Sequence, residues 1–190
     1  MSYYLKTLKP ENAEGQLKRT YDMLQEMFQT VPKIFVAQSI RPDLLELIAT
    51  YVKKLMIEDH GLSRAAKELI AAYVSKINAC AYWVDAHSAM VMTQGFTQDQ
   101  VKSIIEDIDG SSLIDDKTKQ ILHFSEKVTR HAYKVTESDI KALQDIGCTE
   151  EEVFEAVAVT SLFNYMDRMA DALGAPVENF QKMVASMMQS

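Results

Sequence analysis

Residues 68–87 read ELIAAYVSKINACAYWVDAH, and this stretch carries the clearest helical pattern of the chain. In its first half, Leu69 and Tyr73 are four residues apart, the spacing of neighbours on one face of an α-helix. In its second half, Cys80 and His87 are seven residues apart, which again places two side chains on one face. The stretch contains neither Gly nor Pro. It therefore predicts helix on both sides of the central Asn-Ala-Cys sequence.

The composition of the whole chain favours the same fold class. The 190 residues include only six Gly and four Pro, so the turns that a β-protein needs are scarce. Good helix formers such as Ala, Leu, Met, Lys, Glu and Gln are abundant. With 47% hydrophobic residues the chain can bury a core. We expect a single all-α domain over residues 1–190, with an N-terminal arm of about residues 1–10.

Charge and hydropathy exclude several functional classes. A net charge of −7 disfavours binding to nucleic acid. No apolar run approaches the roughly 20 residues that cross a bilayer, and the first residues do not resemble a signal peptide. We therefore expect no membrane interaction and a cytoplasmic location. Two cysteines are too few for a disulfide scaffold or a cysteine zinc site, and a His-x-x-x-His pair is absent, so neither a metal nor a cofactor is predicted.

Start and stop signals place the other helices along the chain. An apolar face at Leu17, Tyr21, Leu24 and Phe28 predicts the first helix. Later helices are expected to begin near Pro42, Ser63, Thr97, Asp115, Thr136 and Thr149, and the last of these is expected to end at Gly174.

The Asn78-Ala79-Cys80 stretch allows two interpretations. In one unbroken helix, Glu68 and Cys80 would lie about 120° out of phase and would not face one site. If Asn78 instead ends one helix and caps the next, Cys80 falls in a first turn, where unpaired N–H groups and the helix dipole favour a thiolate. We favour the break.

Glu68, Cys80 and His87 form a set that could pass protons. The thiol is a candidate nucleophile, the imidazole a candidate acid or base, and the carboxylate a group that could orient or relay. Spacing alone does not decide the matter, because a solitary Cys is most often a small buried hydrophobic residue.

At these residues the chain resembles the alkylhydroperoxidase AhpD-like group of the carboxymuconolactone decarboxylase family. The signature of that group is Cys-x-x-Cys-x-x-x-His, preceded by a glutamate twelve residues before the first cysteine, and Glu68, Cys80 and His87 occupy three of its four positions. The resemblance spans about residues 30–175 and implies an AhpD-like antiparallel helix bundle of the peroxidase-related branch. Its further context is Val31-Pro32, Arg41-Pro42, Gly61-Leu-Ser-Arg64 and the segment from Phe163 to Gly174.

The chain departs from this signature at one position, and that position bears on the catalytic mechanism. Trp83 stands where the family has its second cysteine, the one expected to attack the hydroperoxide, and an indole offers no nucleophile. The dithiol cycle is therefore lost. What the resemblance then implies is an antioxidant, peroxidase-related enzyme that reduces a small hydroperoxide through Cys80 alone, with Glu68 and His87 as proton relay and an external thiol as reductant.

Two other functions stay open at this point. One is a cofactor-independent decarboxylase or lyase that uses His87, although no basic cluster near the motif would hold an anionic lactone. The other is a non-catalytic protein that binds an apolar ligand, with Tyr82 and Trp83 walling the pocket. Trp83 could equally be plain core packing. The resemblance also implies assembly into a homo-oligomer: a dimer, trimer or hexamer.

The remaining polar residues are expected to be structural. Cys148 is predicted to be a free thiol, although pairing with Cys80 is an alternative. His60 is expected to lie at a helix C-terminus, where the dipole favours it, and His123 and His131 are expected at the surface. The polar set Asn164, Asp167, Arg168 and Asp171 lies on an otherwise apolar helix and should find structural partners.

Overall fold

The computed structural model describes residues 3–188, which contain helices and turns and no β-strand. The all-α class is therefore confirmed. The first two residues of the expected N-terminal arm lie outside the described residues. The α-helices are α1 (Gly15–Phe28), α2 (Lys33–Ala37), α3 (Pro42–Val52), α4 (Arg64–Ile77), α5 (Ala81–Met92), α6 (Gln98–Glu106), α7 (Asp116–His131), α8 (Glu137–Asp145), α9 (Glu150–Leu173) and α10 (Phe180–Met188). Short 3-10 turns occupy Pro10–Asn12 and Ala132–Lys134, and a π-helical turn, Lys53–Ile57, extends α3.

Helix α4 is the centre of the bundle. All ten residues from Ala66 to Ser75 are buried, because α5, α7 and α9 pack around this helix. A helix buried on all sides cannot place its polar groups in water, so each of them needs a partner inside the protein. Lys67 and Glu68 are two such residues, and both have found partners.

The expected break between two helices is confirmed, but the cap is different. Asn78 ends α4, Ala79 takes a left-handed conformation with φ of 58°, and Cys80 is the residue that caps α5. Asn78 cannot cap α5 because its side chain donates to Asp167 Oδ2 on α9, at 2.7 Å. The predicted capping role of Asn78 was wrong.

The polar set on α9 holds this break in place, as expected. Asp167 accepts a second hydrogen bond from Ser75 Oγ at 2.8 Å, and Asn164 Oδ1 accepts from Asn78 at 3.2 Å. Because the C-terminal end of α4 is tied to α9 through Ser75 and Asn78, the turn that leads into α5 is held in place. The direction of this turn decides where Trp83 and His87 point.

The helix signals in the sequence are largely confirmed. Ser63 and Asp115 cap α4 and α7 through their side chains, and Thr97, Thr136 and Thr149 each form a capping box. Helix α9 ends at Gly174, whose φ is 68°. A Cβ added to Gly174 would lie 2.8 Å from the Tyr4 ring, so glycine is required there by both conformation and space.

No helix within residues 3–188 is long and apolar enough to span a membrane. Among the same residues, no group of three or more His, Cys, Asp or Glu side chains is placed to hold a metal ion.

Candidate active site

A cavity of about 540 Å³ lies between α5 and α10 and is closed by parts of α1, α2, α4, α9 and the π-helical turn. Its walls are mainly aromatic rings and methionines, and its ionisable side chains come from one end. The lining residues are Met27, Phe28, Gln29, Thr30, Pro32, Phe35, Val52, Met56, Ile57, Arg64, Glu68, Tyr82, Trp83, Ala86, His87, Met90, Phe163, Met166, Phe180, Met183 and Met187.

Three residues form a hydrogen-bonded chain at that end of the cavity. Arg64 Nε donates to Glu68 Oε1 at 2.6 Å, and the other carboxylate oxygen, Oε2, contacts His87 Nδ1. An ionised carboxylate can only accept, so His87 Nδ1 carries a proton and donates it to Glu68. In the neutral imidazole this leaves the lone pair on Nε2.

His87 Nε2 is the unusual atom of the site. It is buried and has no hydrogen-bond partner among the residues that the structure describes. The His87 side chain itself is only 10% exposed. A buried polar atom without a partner is costly in a folded protein, and it is most often explained by a ligand, water or catalytic role.

Trp83 forms the wall beside His87. Its indole stacks on the imidazole with ring centroids 5.1 Å apart and an interplanar angle of 26°. Phe163 meets both rings edge-on, at 5.5 Å from Trp83 and 4.3 Å from His87. The indole Nε1 donates to the Met166 carbonyl at 3.0 Å, so the ring cannot swing freely. Trp83 therefore fixes the plane of the imidazole.

Tyr82 also lines the cavity, but its hydroxyl is already used. It donates to Glu178 Oε2 at 2.5 Å and accepts from the Ile34 backbone N–H at 3.3 Å. Burial, reinforced by the negative charge of Glu178, raises the pKa of Tyr82. The residue thus offers a ligand its ring rather than its hydroxyl.

Cys80 lies apart from the other candidate residues. Its side chain is fully buried and is not part of the cavity lining. Burial raises the pKa of the Cys80 thiol, and the negative charges of Asp167 and Asp171 raise it further, although the Trp83 backbone N–H opposes this. The expectation that the helix dipole would favour a thiolate at Cys80 was wrong, because desolvation outweighs it.

Cys148 is also buried, and both cysteines are free thiols. Burial raises the pKa of the Cys148 thiol as well. The prediction that Cys148 is unpaired agrees with this arrangement.

Several residues of the site were not predicted from the sequence. Arg64 is four residues before Glu68, a helical ion-pair spacing that could have revealed it. Asp85 accepts from the Phe180 N–H of α10, and Glu178, just before α10, accepts from the Tyr82 hydroxyl. No local pattern predicts either contact, because the two partners are about 95 positions apart in each case.

Helix α10 closes the cavity with Phe180, Met183 and Met187. Asp85 on α5 accepts from the Phe180 N–H at 2.7 Å and caps the first turn of α10. Glu178, just before α10, accepts from the Lys33 N–H at 2.8 Å and from Tyr82. The position of α10 over the cavity thus depends on two carboxylates.

Replacing Asp85 by Ala is expected to loosen α10, because losing a helix cap costs about 0.5–2 kcal/mol. Trp83 is the only tryptophan of the chain, and it is 7% exposed. Quenching of its fluorescence by acrylamide should therefore increase in the variant, together with faster amide exchange in α10. Asp22→Ala, at an exposed ion pair on α1, is the control. Unchanged quenching in Asp85→Ala would contradict the role given to this cap.

The family comparison agrees with this arrangement of motif residues. Residues 42–110, which include Glu68, Cys80, Trp83 and His87, match the carboxymuconolactone decarboxylase family. Over these residues the chain is similar to this family. No curated protein sequence matches it.

Solved structures with the AhpD-like fold confirm the architecture of this chain. An uncharacterized peroxidase-related protein from Ralstonia eutropha JMP134, described as an alkylhydroperoxidase AhpD core, is 26% identical with a TM-score of 0.83, over 96% of each chain. A peroxidase-related protein from Silicibacter sp. TM1040 is 24% identical with a TM-score of 0.78, over 90% of this chain and 91% of that one.

A third structure of the same fold has a different described activity. The debrominase Bmp8, as a cysteine-to-alanine variant in complex with 2,3,4-tribromopyrrole, is 16% identical with a TM-score of 0.80, over 99% of this chain and 98% of its own. At this identity the likeness concerns the fold alone.

Proposed function

We propose that this protein is a cofactor-independent enzyme in which His87 takes a proton from a small apolar substrate. The observation that carries the proposal is the buried, unpartnered Nε2 of His87, a residue that lines an apolar cavity. A general base must lie within hydrogen-bonding reach of the proton that it removes, and Nε2 is the site atom that is both buried and unoccupied by protein.

The residues behind His87 support this role. When Nε2 accepts a proton, the imidazole becomes a cation whose Nδ1–H still points at the Glu68 carboxylate. Glu68 is held in turn by Arg64. This is the arrangement by which a buried carboxylate orients a catalytic histidine and stabilises its protonated form.

The lining of the cavity supports an apolar substrate. Arg64 is its one cationic side chain among the described lining residues, and it is paired with Glu68. The pocket therefore offers little to an anionic lactone, which argues for proton transfer of the lyase type over decarboxylation. A small halogenated ring, 2,3,4-tribromopyrrole, occupies the same-fold debrominase Bmp8, so this architecture has room for an apolar ring.

The one-thiol peroxidase remains the competing proposal. Cys80 would attack the hydroperoxide, an S–O bond would form as the O–O bond broke, an alcohol would leave, and external thiol would reduce the sulfenic acid. The position of Cys80 in the family motif favours this cycle. Its complete burial and raised pKa oppose it, because the thiolate is the reactive form.

The elimination of 5-nitrobenzisoxazole tests the histidine. A base removes the C–H proton of this neutral planar ring system, the N–O bond breaks, and a coloured cyanonitrophenolate forms. We expect a rate above buffer that falls at least about 100-fold in His87→Gln. Replacing the exposed His131 by Gln is the matched control and should change nothing. The proposal would be rejected if the wild type, His131→Gln and His87→Gln all showed the same elimination rate.

Treatment with hydrogen peroxide separates the two proposals. If Cys80 stays buried, peroxide should not oxidise it. The intact mass should then show no Cys80-dependent gain of one oxygen, about 16 Da, when the wild type is compared with Cys80→Ser. Cys80→Ser should also keep the elimination rate. A Cys80-dependent gain that thiol reverses would instead favour the peroxidase, and a loss that requires both cysteines would indicate a disulfide between Cys80 and Cys148.

A further inference from the structure

We infer that the natural ligand of this cavity is a neutral, planar aromatic molecule with one weakly acidic O–H or N–H group, and that it is not a carboxylate. This inference rests on the proposed function, since both use His87 Nε2 as the proton acceptor. It adds the chemical class of the substrate. Three features of the cavity support it: its buried unpartnered acceptor, its charges and its flat walls.

Among the buried side-chain atoms of the described lining, one acceptor has no partner, whereas the other polar lining residues, Gln29 and Thr30, are exposed and half-buried. His87 Nδ1 is occupied by Glu68, and the Tyr82 hydroxyl and the Trp83 indole N–H are bound to Glu178 and Met166. His87 Nε2 remains. In the tautomer that Glu68 imposes, Nε2 accepts and cannot donate. The complementary group on a ligand is therefore a hydroxyl or a ring N–H.

The charges around the cavity disfavour an anion. The guanidinium of Arg64 is neutralised by Glu68 at 2.6 Å. The carboxylates that hold α10, those of Asp85 and Glu178, accept from Phe180 and Tyr82 of the cavity wall and add negative charge there. A carboxylate placed in this apolar volume would lose its hydration without gaining a cation. A neutral weak acid meets no such cost, and it becomes charged only when its proton passes to His87.

The walls favour a flat, polarisable ring. Trp83 and His87 present nearly parallel faces, and Phe163 stands edge-on to both. Methionine side chains cover much of the remaining surface. Thioethers adapt to irregular shapes and make favourable contacts with aromatic rings. Loss of the O–H or N–H proton to Nε2 leaves an anion whose electrons delocalise over the ring, so the group nearest His87 is the one that reacts.

Three probes of similar size test the ligand class without turnover: 4-nitrophenol, nitrobenzene and 4-nitrobenzoate. Their dissociation constants are measured by equilibrium dialysis, at a pH where the phenol is neutral and the benzoate is ionised. We expect 4-nitrophenol to bind about tenfold tighter than nitrobenzene, the gain from one hydrogen bond that becomes charge-assisted. The benzoate should bind weakest. The absorbance of bound nitrophenol reports whether its proton has moved.

His87→Phe keeps a ring in place and removes Nε2, so it should abolish the preference for 4-nitrophenol over nitrobenzene while retaining nitrobenzene binding. Equal affinities in the wild type, or tighter binding of the benzoate, would overturn the inference. The elimination assay separates this failure from that of the proposed function. His87-dependent elimination with the wrong order of affinities removes only the ligand class. The expected order without elimination supports the ligand class and removes the catalytic role.

Discussion

Replacing Glu68 by Gln is expected to lower the His87-dependent elimination rate by roughly 10²–10⁴-fold. The carboxylate accepts from His87 Nδ1 and so keeps the lone pair on Nε2. A glutamine amide can instead donate to Nδ1, which moves the imidazole proton to Nε2 and removes the base from the cavity. The measurement is the steady-state rate with 5-nitrobenzisoxazole, with kcat and KM determined separately.

Glu68 acts through His87, so its effect should fall on kcat, with KM nearly unchanged. Nitrogen-15 NMR of the histidine side chains should show the change of tautomer directly. Glu68→Asp keeps a carboxylate and should recover part of the rate. If Glu68→Gln unfolds at a lower temperature but retains kcat and the tautomer of His87, the carboxylate is structural and the orienting role is wrong.

Replacing Lys67 by Met is expected to lower the free energy of unfolding by about 3–5 kcal/mol. Lys67 and Glu155 are buried, with side chains 1% and 6% exposed, and Lys67 Nζ lies 3.1 Å from Glu155 Oε1. Without the lysine, the Glu155 carboxylate keeps only the Leu62 N–H, which donates to Oε2 at 2.6 Å. An unpaired buried charge is the source of the loss. Urea unfolding followed by circular dichroism measures it.

Two variants give this prediction its controls. Lys67→Met combined with Glu155→Gln leaves a neutral acceptor for the Leu62 N–H and should recover much of the lost stability. Lys141→Met breaks an exposed pair with Asp145 and should change stability by less than about 1 kcal/mol. A loss in Lys67→Met no larger than that in Lys141→Met would contradict the role given to the buried pair.

Most of the helices could be predicted because their signals are local. Ser63, Thr97, Thr136 and Thr149 each bind a backbone N–H within three residues, so the short-range sequence contains the whole interaction. The break before Cys80 was predictable for the same reason. The residue that caps α5 was not predictable, because the Asn78 side chain donates to Asp167, which lies 89 residues further along the chain.

The candidate site divides in the same way. Glu68 and His87 were identified from spacing and family resemblance, and the structure places them in contact. Cys80 was grouped with them, and its part in catalysis stays a prediction. Its separation from the cavity lining could not be read from helical phase, since the direction of α5 depends on how the turn is tied to α9. The predicted homo-oligomer and external thiol reductant also stay predictions.

The helical class, most helix boundaries and the replacement of the second motif cysteine by Trp83 follow from the amino-acid sequence. These depend on backbone propensities, on capping over three or four residues and on side-chain identity. Only the tertiary structure decided that Trp83 stacks on His87, that Cys80 is buried beside acidic groups, and that α10 covers the cavity. These features arise where distant helices meet, and burial there sets the charge and reactivity of each group.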